Sequence, residues 1–178
     1  MESQKENLLA AMGRCAAFVF DMDGVLTDGS LIITDAHSWI RTMYVRDGYA
    51  LQLAAKKGYP VIIISGSEAE PVKDRLNRLG IQDVFFKVND KAAFLRNFAE
   101  EKKINVSDIL VMGDDVPDIE MMKICGFRAA PADAVNEVKQ IAHYISPQNG
   151  GRGCVRDVIE KVMKLQGKWD SDSKVTST

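Results

Sequence analysis

An α/β fold, a Rossmann-like parallel sheet with helices on both faces, is the architecture the sequence predicts. Three observations carry it. Short, unbroken apolar runs rich in branched and aromatic residues recur at 16–20, 60–65 and 109–112, and such runs read as strands buried on both faces. Segments with apolar residues at helical spacing lie between them, and strand–helix alternation implies a parallel sheet. Each run also stops at small polar or acidic residues, which suits the crevice beyond the carboxyl ends of the strands, where open α/β sheets bind ligands.

The elements follow in order. Residues 2–12 read as a short edge helix ended by Gly13, and 16–20 as the first strand. Residues 31–34 and 39–45 read as two strands around a turn at 35–38, a hairpin inserted after the first strand with His37 at its tip. Asp47 is expected to cap a helix running to Lys57 and closed by Gly58. After the strand at 60–65, Pro71 opens a helix that carries Val72, Leu76 and Leu79 and stops at Gly80. Residues 83–86 form a third core strand. Asn89-Asp90-Lys91 then opens a helix with Phe94, Leu95 and Phe98 on one face. Strands follow at 109–112, 127–130 and 143–145, then a glycine-rich loop at 150–153. The last helix has an apolar stripe of Val155, Val158, Ile159, Val162 and Met163.

With 178 residues the chain is long enough for one domain with a sizeable core. That domain is expected over 1–166 with the hairpin at about 29–45, and the polar, Ser/Thr-rich 167–178 as a flexible tail. A net charge of −2 with no basic block argues against a nucleic-acid surface. No apolar run is long enough for a membrane span, and the first residues do not resemble a signal peptide. Cys15, Cys125 and Cys154 are odd in number and scattered, without metal-ligand spacing. A reducing compartment, the cytoplasm, is therefore expected.

The chemistry concentrates in four segments: Asp21 and Asp23; Ser65, Gly66 and Ser67; Lys91; and Asp114, Asp115 and Asp118. Each alone has an ordinary reading as a turn residue, a helix cap or a solvated surface group. The pattern D-x-D-G-x-x-T-D from Asp21 to Asp28 does not, since a chance match in a chain of this size is rarer than about one in a thousand. Carboxylates about 4 Å apart repel by about 4 kcal/mol per pair at an effective dielectric near 20. One lysine does not offset that; a divalent cation does. Oxygen donors without histidine or cysteine point to Mg2+.

In this order the four segments resemble the sequence motifs of the haloacid dehalogenase superfamily, whose commonest members are magnesium-dependent phosphatases. The resemblance implies that Asp21, the Asp23 backbone carbonyl and Asp114 bind the metal, with Asp115 and Asp118 orienting ligands or holding Lys91. It implies that Asp21 attacks phosphorus, Asp23 acts as acid and then base, and Ser65, Gly66 and Lys91 hold the phosphoryl oxygens. An aspartate two residues after the nucleophile marks the phosphotransferases of the superfamily rather than the dehalogenases.

The hairpin is the only visible insertion, so there is no large cap domain. The stretches from Asp21 to Gly29, 45–49, 113–118 and 150–153 look like the capless, tetrameric branch that includes 3-deoxy-D-manno-octulosonate 8-phosphate phosphatase, an enzyme of lipopolysaccharide precursor synthesis. That likeness covers about residues 14–165. It implies a small phosphorylated sugar acid as substrate and a homotetramer whose hairpins pack around a central barrel, each site completed by a neighbour. Leu31, Ile32, Ile33, Trp39 and Ile40 suit such an interface, or simply cover the core edge. Arg46 and Arg152 are candidates for the substrate carboxylate; a structural salt bridge is the other reading of each. Many members of the branch carry arginine where this chain has Ser67. Relatives acting on nine-carbon, sialic-acid-type 9-phosphates tend to carry an acidic residue there and glutamate in place of Arg152. This chain has neither, which favours the eight-carbon substrate with the nine-carbon one as alternative. A receiver-like module is the wrong order of motifs. A dinucleotide fold would need a Gly-rich turn after the first strand. A silent scaffold would not keep every catalytic residue type.

Overall fold

The computed structural model describes residues 2–35 and 38–170. The expectations for His37 at the hairpin tip and for most of the C-terminal tail fall outside the described residues. A six-stranded parallel sheet forms the centre. Its strands are β1 (Ala17–Phe20), β4 (Val61–Ile64), β5 (Asp83–Phe85), β6 (Ile109–Met112), β7 (Phe127–Ala130) and β8 (Tyr144–Ile145). Their order is β5-β4-β1-β6-β7-β8. β2 (Ile32–Asp35) and β3 (Ser38–Ile40) form a separate antiparallel hairpin.

Alternation along each strand divides the core in two. Phe18, Phe20, Val61, Ile63, Leu110 and Met112 face one layer, packed under α1 (Glu2–Arg14), α2 (Val45–Lys56), α3 (Glu70–Arg78) and α7 (Cys154–Leu165). Ala17, Val19, Ile62, Ile64, Ile109 and Val111 face the other, under α4 (Lys91–Glu101), α5 (Ile119–Ile124) and α6 (Asn136–Ile141). Every residue of β1, β4 and β6 is buried, as a strand covered by helices on both faces requires. Among the described residues no helix is long and apolar enough to cross a membrane.

Several boundaries differ from the sequence expectation. α1 runs through Gly13 to Arg14, because Gly13 does not take the positive φ of a helix stop. The second hairpin strand ends at Ile40 instead of Val45. Met43 pairs with Thr27, drawing the chain back to the acidic turn, and Val45 already opens α2. Asp47 is therefore not the cap of its own helix. Its buried carboxylate accepts from the backbone N–H of Gly153 at 3.2 Å and of Arg156 at 2.7 Å, and so caps α7 across the fold. Burial pushes this carboxyl up to about 6, against the pull of those two amides.

Candidate active site

β1 lies between β4 and β6, and the chain leaves their carboxyl ends on one side of the sheet. That placement brings the four predicted segments together around one cavity of about 470 Å³. Asp21 follows β1 directly, with its N–H donating to the Met112 carbonyl at 3.0 Å. Asp23 sits in the wide turn Met22–Leu26, where Gly24 at φ +95° reverses the chain. Ser65, Gly66 and Ser67 follow β4, Lys91 begins α4, and Asp114, Asp115 and Asp118 follow β6; all of them line the cavity.

Lys91 is the buried centre of the cluster. Its Nζ donates to Asp21 Oδ1 at 2.6 Å and to Asp118 Oδ1 at 2.7 Å. Burial alone would lower the lysine, but the two carboxylates outweigh it and hold it above its ordinary range, as a cation. The other oxygen of Asp118 accepts from the N–H groups of Asp114 and Asp115, at 3.1 and 3.5 Å. Both Asp118 oxygens are thus committed to holding the site. Asp115 is exposed at the rim of the cavity, and its carboxylate accepts from the Val116 N–H at 2.7 Å, capping the next turn. Lys91 is held by Asp118 and not by Asp115.

Asp114 differs from both. Its Oδ1 is buried with no hydrogen-bond partner among the described residues. Burial first, then repulsion from Asp21, Asp118 and Asp115, raises its carboxyl to about 8. Asp21 rises to about 7, through burial and then the Asp118 charge, with Lys91 opposing. One oxygen each from Asp21, Asp114 and Asp118 lies within 4.8 Å of the others. A buried, partnerless carboxylate oxygen beside two more carboxylates is what a hard divalent cation relieves. The donor set is all oxygen, and magnesium is the cofactor it fits.

Asp23 stands apart from this cluster. Its Oδ1 accepts from Arg41 Nε at 2.8 Å and Thr27 Oγ1 at 3.2 Å; its Oδ2 accepts from Arg41 Nη2 at 3.0 Å and Ser67 Oγ at 2.7 Å. Burial would raise this carboxyl, but the bonds from Arg41, Ser67 and Thr27 outweigh it and hold it below its ordinary range. Sequence reasoning missed Arg41. Its signal was weak, a lone cation inside a stretch read as a strand. Ser65 Oγ lies 3.2 Å from Ser67 Oγ and accepts from the Ser67 N–H, also at 3.2 Å.

Arg46 and Arg152 are not brought to this cavity within the chain. They line a separate one of about 420 Å³ beside Tyr44 and Arg156. Arg152 pairs there with Asp28 at 3.0 Å, and the Arg46 guanidinium lies 5.9 Å from the centre of the Tyr44 ring.

Known proteins share both pattern and fold. Residues 80–159 match a family described as haloacid dehalogenase-like hydrolase. The chain is 31% identical over 164 residues to 3-deoxy-D-manno-octulosonate 8-phosphate phosphatase KdsC of Escherichia coli (strain B / BL21-DE3), covering 92% of this chain and 87% of that protein. The crystal structure of the phosphatase of that name from Yersinia pestis aligns with a TM-score of 0.88 at 28% identity, covering 92% of this chain and 88% of its own. The one from Moraxella catarrhalis, solved with a magnesium ion, a phosphate ion and a KDO molecule, aligns with a TM-score of 0.87 at 28% identity, covering 91% of this chain and 93% of its own. Identity at this level, sustained along nearly the whole chain and matched by the shape of the sheet, makes the protein a member of the haloacid dehalogenase-like hydrolases, in their phosphatase class.

Proposed function

We propose that the protein releases phosphate from 3-deoxy-D-manno-octulosonate 8-phosphate, through a phosphorylated Asp21, in lipopolysaccharide precursor synthesis in the cytoplasm. The observation that carries the chemistry is the separation of two neighbouring aspartates into different environments. Asp21 lies in the buried cluster with Lys91, while Asp23 is held by hydroxyls and a guanidinium on the other side. Two carboxylates so divided suit two different roles. The sugar acid rests on the 31% identity to the Escherichia coli phosphatase.

In this reading an Asp21 oxygen attacks phosphorus in line and the ester P–O bond breaks. Asp23, protonated in this step against the pull of Arg41, Ser67 and Thr27, gives its proton to the departing sugar oxygen, then takes one from the water that hydrolyses the aspartyl phosphate. Ser65, the Gly66 backbone and Lys91 hold the phosphoryl oxygens. Asp21, the Asp23 carbonyl and Asp114 would hold magnesium, which when bound supplies charge neutralisation to the phosphoryl group. Asp118 keeps Lys91 in place.

We read 1–166 as one domain and the assembly as a homotetramer. Support comes from the hairpin and its flank, where Leu31, Ile32, Ile33, Trp39 and Ile40 are all exposed, Ile33 at 69%. Ile32 pairs with Ile40 and Ile33 with Trp39, so both faces of the hairpin carry exposed apolar side chains, and such a cluster marks an interaction surface. Arg46 and Arg152 would reach a substrate carboxylate only across such an interface.

The test is magnesium-dependent phosphate release from the eight-carbon 8-phosphate beside nine-carbon 9-phosphates. A preference of about 100-fold in kcat/KM for the first, about 2.7 kcal/mol of transition-state discrimination, is expected. A reversed preference overturns the substrate. Activity retained in Asp21→Asn overturns the nucleophile.

A further inference from the structure

The least expected residue in the site is Arg41. It lies just past β3, at the foot of the hairpin, yet its side chain is only 3% exposed. Its guanidinium grips both oxygens of Asp23, at 2.8 and 3.0 Å, and reaches Ser67 Oγ at 3.4 Å. On its other side it walls an apolar groove of about 310 Å³ beside Trp39, Met43 and Val72. Arg41 does not line the catalytic cavity. A group buried in this way is not placed to touch substrate.

We infer that Arg41 is a positioning residue that sets the plane and direction of the Asp23 carboxyl group for proton transfer to the leaving oxygen. The inference rests on the acid role proposed above for Asp23. The other two partners of Asp23 among the described residues are single hydroxyls, and a hydroxyl can rotate about its carbon–oxygen bond. A planar fork with two parallel N–H bonds fixes a carboxylate in orientation as well as place. The three grips come from three segments: Thr27 from the turn itself, Ser67 from the end of β4, and Arg41 from the hairpin. The Thr27–Met43 pairing ties the hairpin segment to the turn, so the setting of the hairpin is handed to the catalytic aspartate through one side chain.

The experiment is a leaving-group series, from p-nitrophenyl phosphate to alkyl phosphates, with magnesium, in wild type, Asp23→Asn, Arg41→Gln and Arg41→Lys. An aryl leaving group departs without a proton and an alkoxide does not. Loss of the acid therefore steepens the dependence of kcat on leaving-group pKa. Arg41→Gln is expected to shift the slope toward that of Asp23→Asn, lowering kcat for alkyl esters by about 100-fold and for the aryl ester far less. Arg41→Lys, which keeps the charge and loses the fork, should fall between, and reads the same slope should Arg41→Gln fail to fold. An equal fall on all esters, or a rise in KM alone, overturns the inference. A steep Asp23→Asn beside a wild-type slope in both Arg41 variants overturns it too and leaves the acid role standing. A wild-type slope in Asp23→Asn overturns the acid role itself.

Discussion

Gly24 takes φ +95°, and a Cβ added there would lie 2.0 Å from Asp114 Oδ2. Its absent side chain is what allows the turn after β1 to approach the acidic loop after β6. Gly24→Ala should displace Asp114 and lower magnesium-dependent kcat/KM by about 100-fold, the scale of a misplacement near 1 Å; a wild-type rate would show that the loop has slack. Asp21 and Asp114 supply a pH prediction at the same scale. Burial raises them to about 7 and about 8, helped by the Asp118 charge at Asp21 and by the Asp21, Asp118 and Asp115 charges at Asp114, above the ordinary value near 3.9. Without metal, the folded state therefore prefers them protonated. The stability they contribute in that form is full below about pH 4 and is lost as pH rises through 7 to 8. Magnesium replaces those protons, so its stabilising shift in Tm should be small at pH 5 and grow toward pH 8. A shift independent of pH would contradict the assignment.

At the scale of elements, α7 and the hairpin make opposite demands. α7 docks on α2 through Asp47, whose carboxylate satisfies two amides at the start of α7. Asp47→Ala leaves those donors unpaired and should cost about 1–3 kcal/mol, read as a lower urea midpoint at unchanged m. The hairpin contributes little to its own chain's core, since Ile32 and Ile33 are more than half exposed. In the homotetramer proposed above, Ile33→Lys should therefore split the assembly without unfolding the subunit. Light scattering should then give a smaller species whose circular dichroism is unchanged; an intact assembly would remove Ile33 from the interface.

For the whole molecule, the two-layer core holds all three cysteines as packing groups. Cys15, Cys125 and Cys154 are buried and unpaired. Burial pushes Cys15 and Cys125 up to about 12 and Cys154 upward as well. Only thiolate reacts with disulfide reagents, so none should be labelled at pH 8 in the native protein, and all three should react together as denaturant unfolds it. Rapid native labelling of one would mark a local opening.

The sequence by itself determined the strand set, the sheet class, and the residues Asp21, Asp23, Ser65, Lys91 and Asp114 as a group. Those follow from local facts: unbroken apolar runs, the polar residues that end them, and a motif too specific for chance. The comparison with known proteins agrees with that family reading over 92% of the chain. Tertiary structure alone decided the partners. Asp47 resembles the cap of its own helix and caps another, because the amides that donate to it lie more than a hundred residues away. Arg41 sits in a stretch with strand-like residues and turns inward, because Met43 pairs with Thr27. Arg46 and Arg152 fit the expected charge and lie in a different cavity. Periodicity and motif report what a segment buries and which chemistry it carries. Which carboxylate a given cation meets depends on how distant segments pack, and that information is not local.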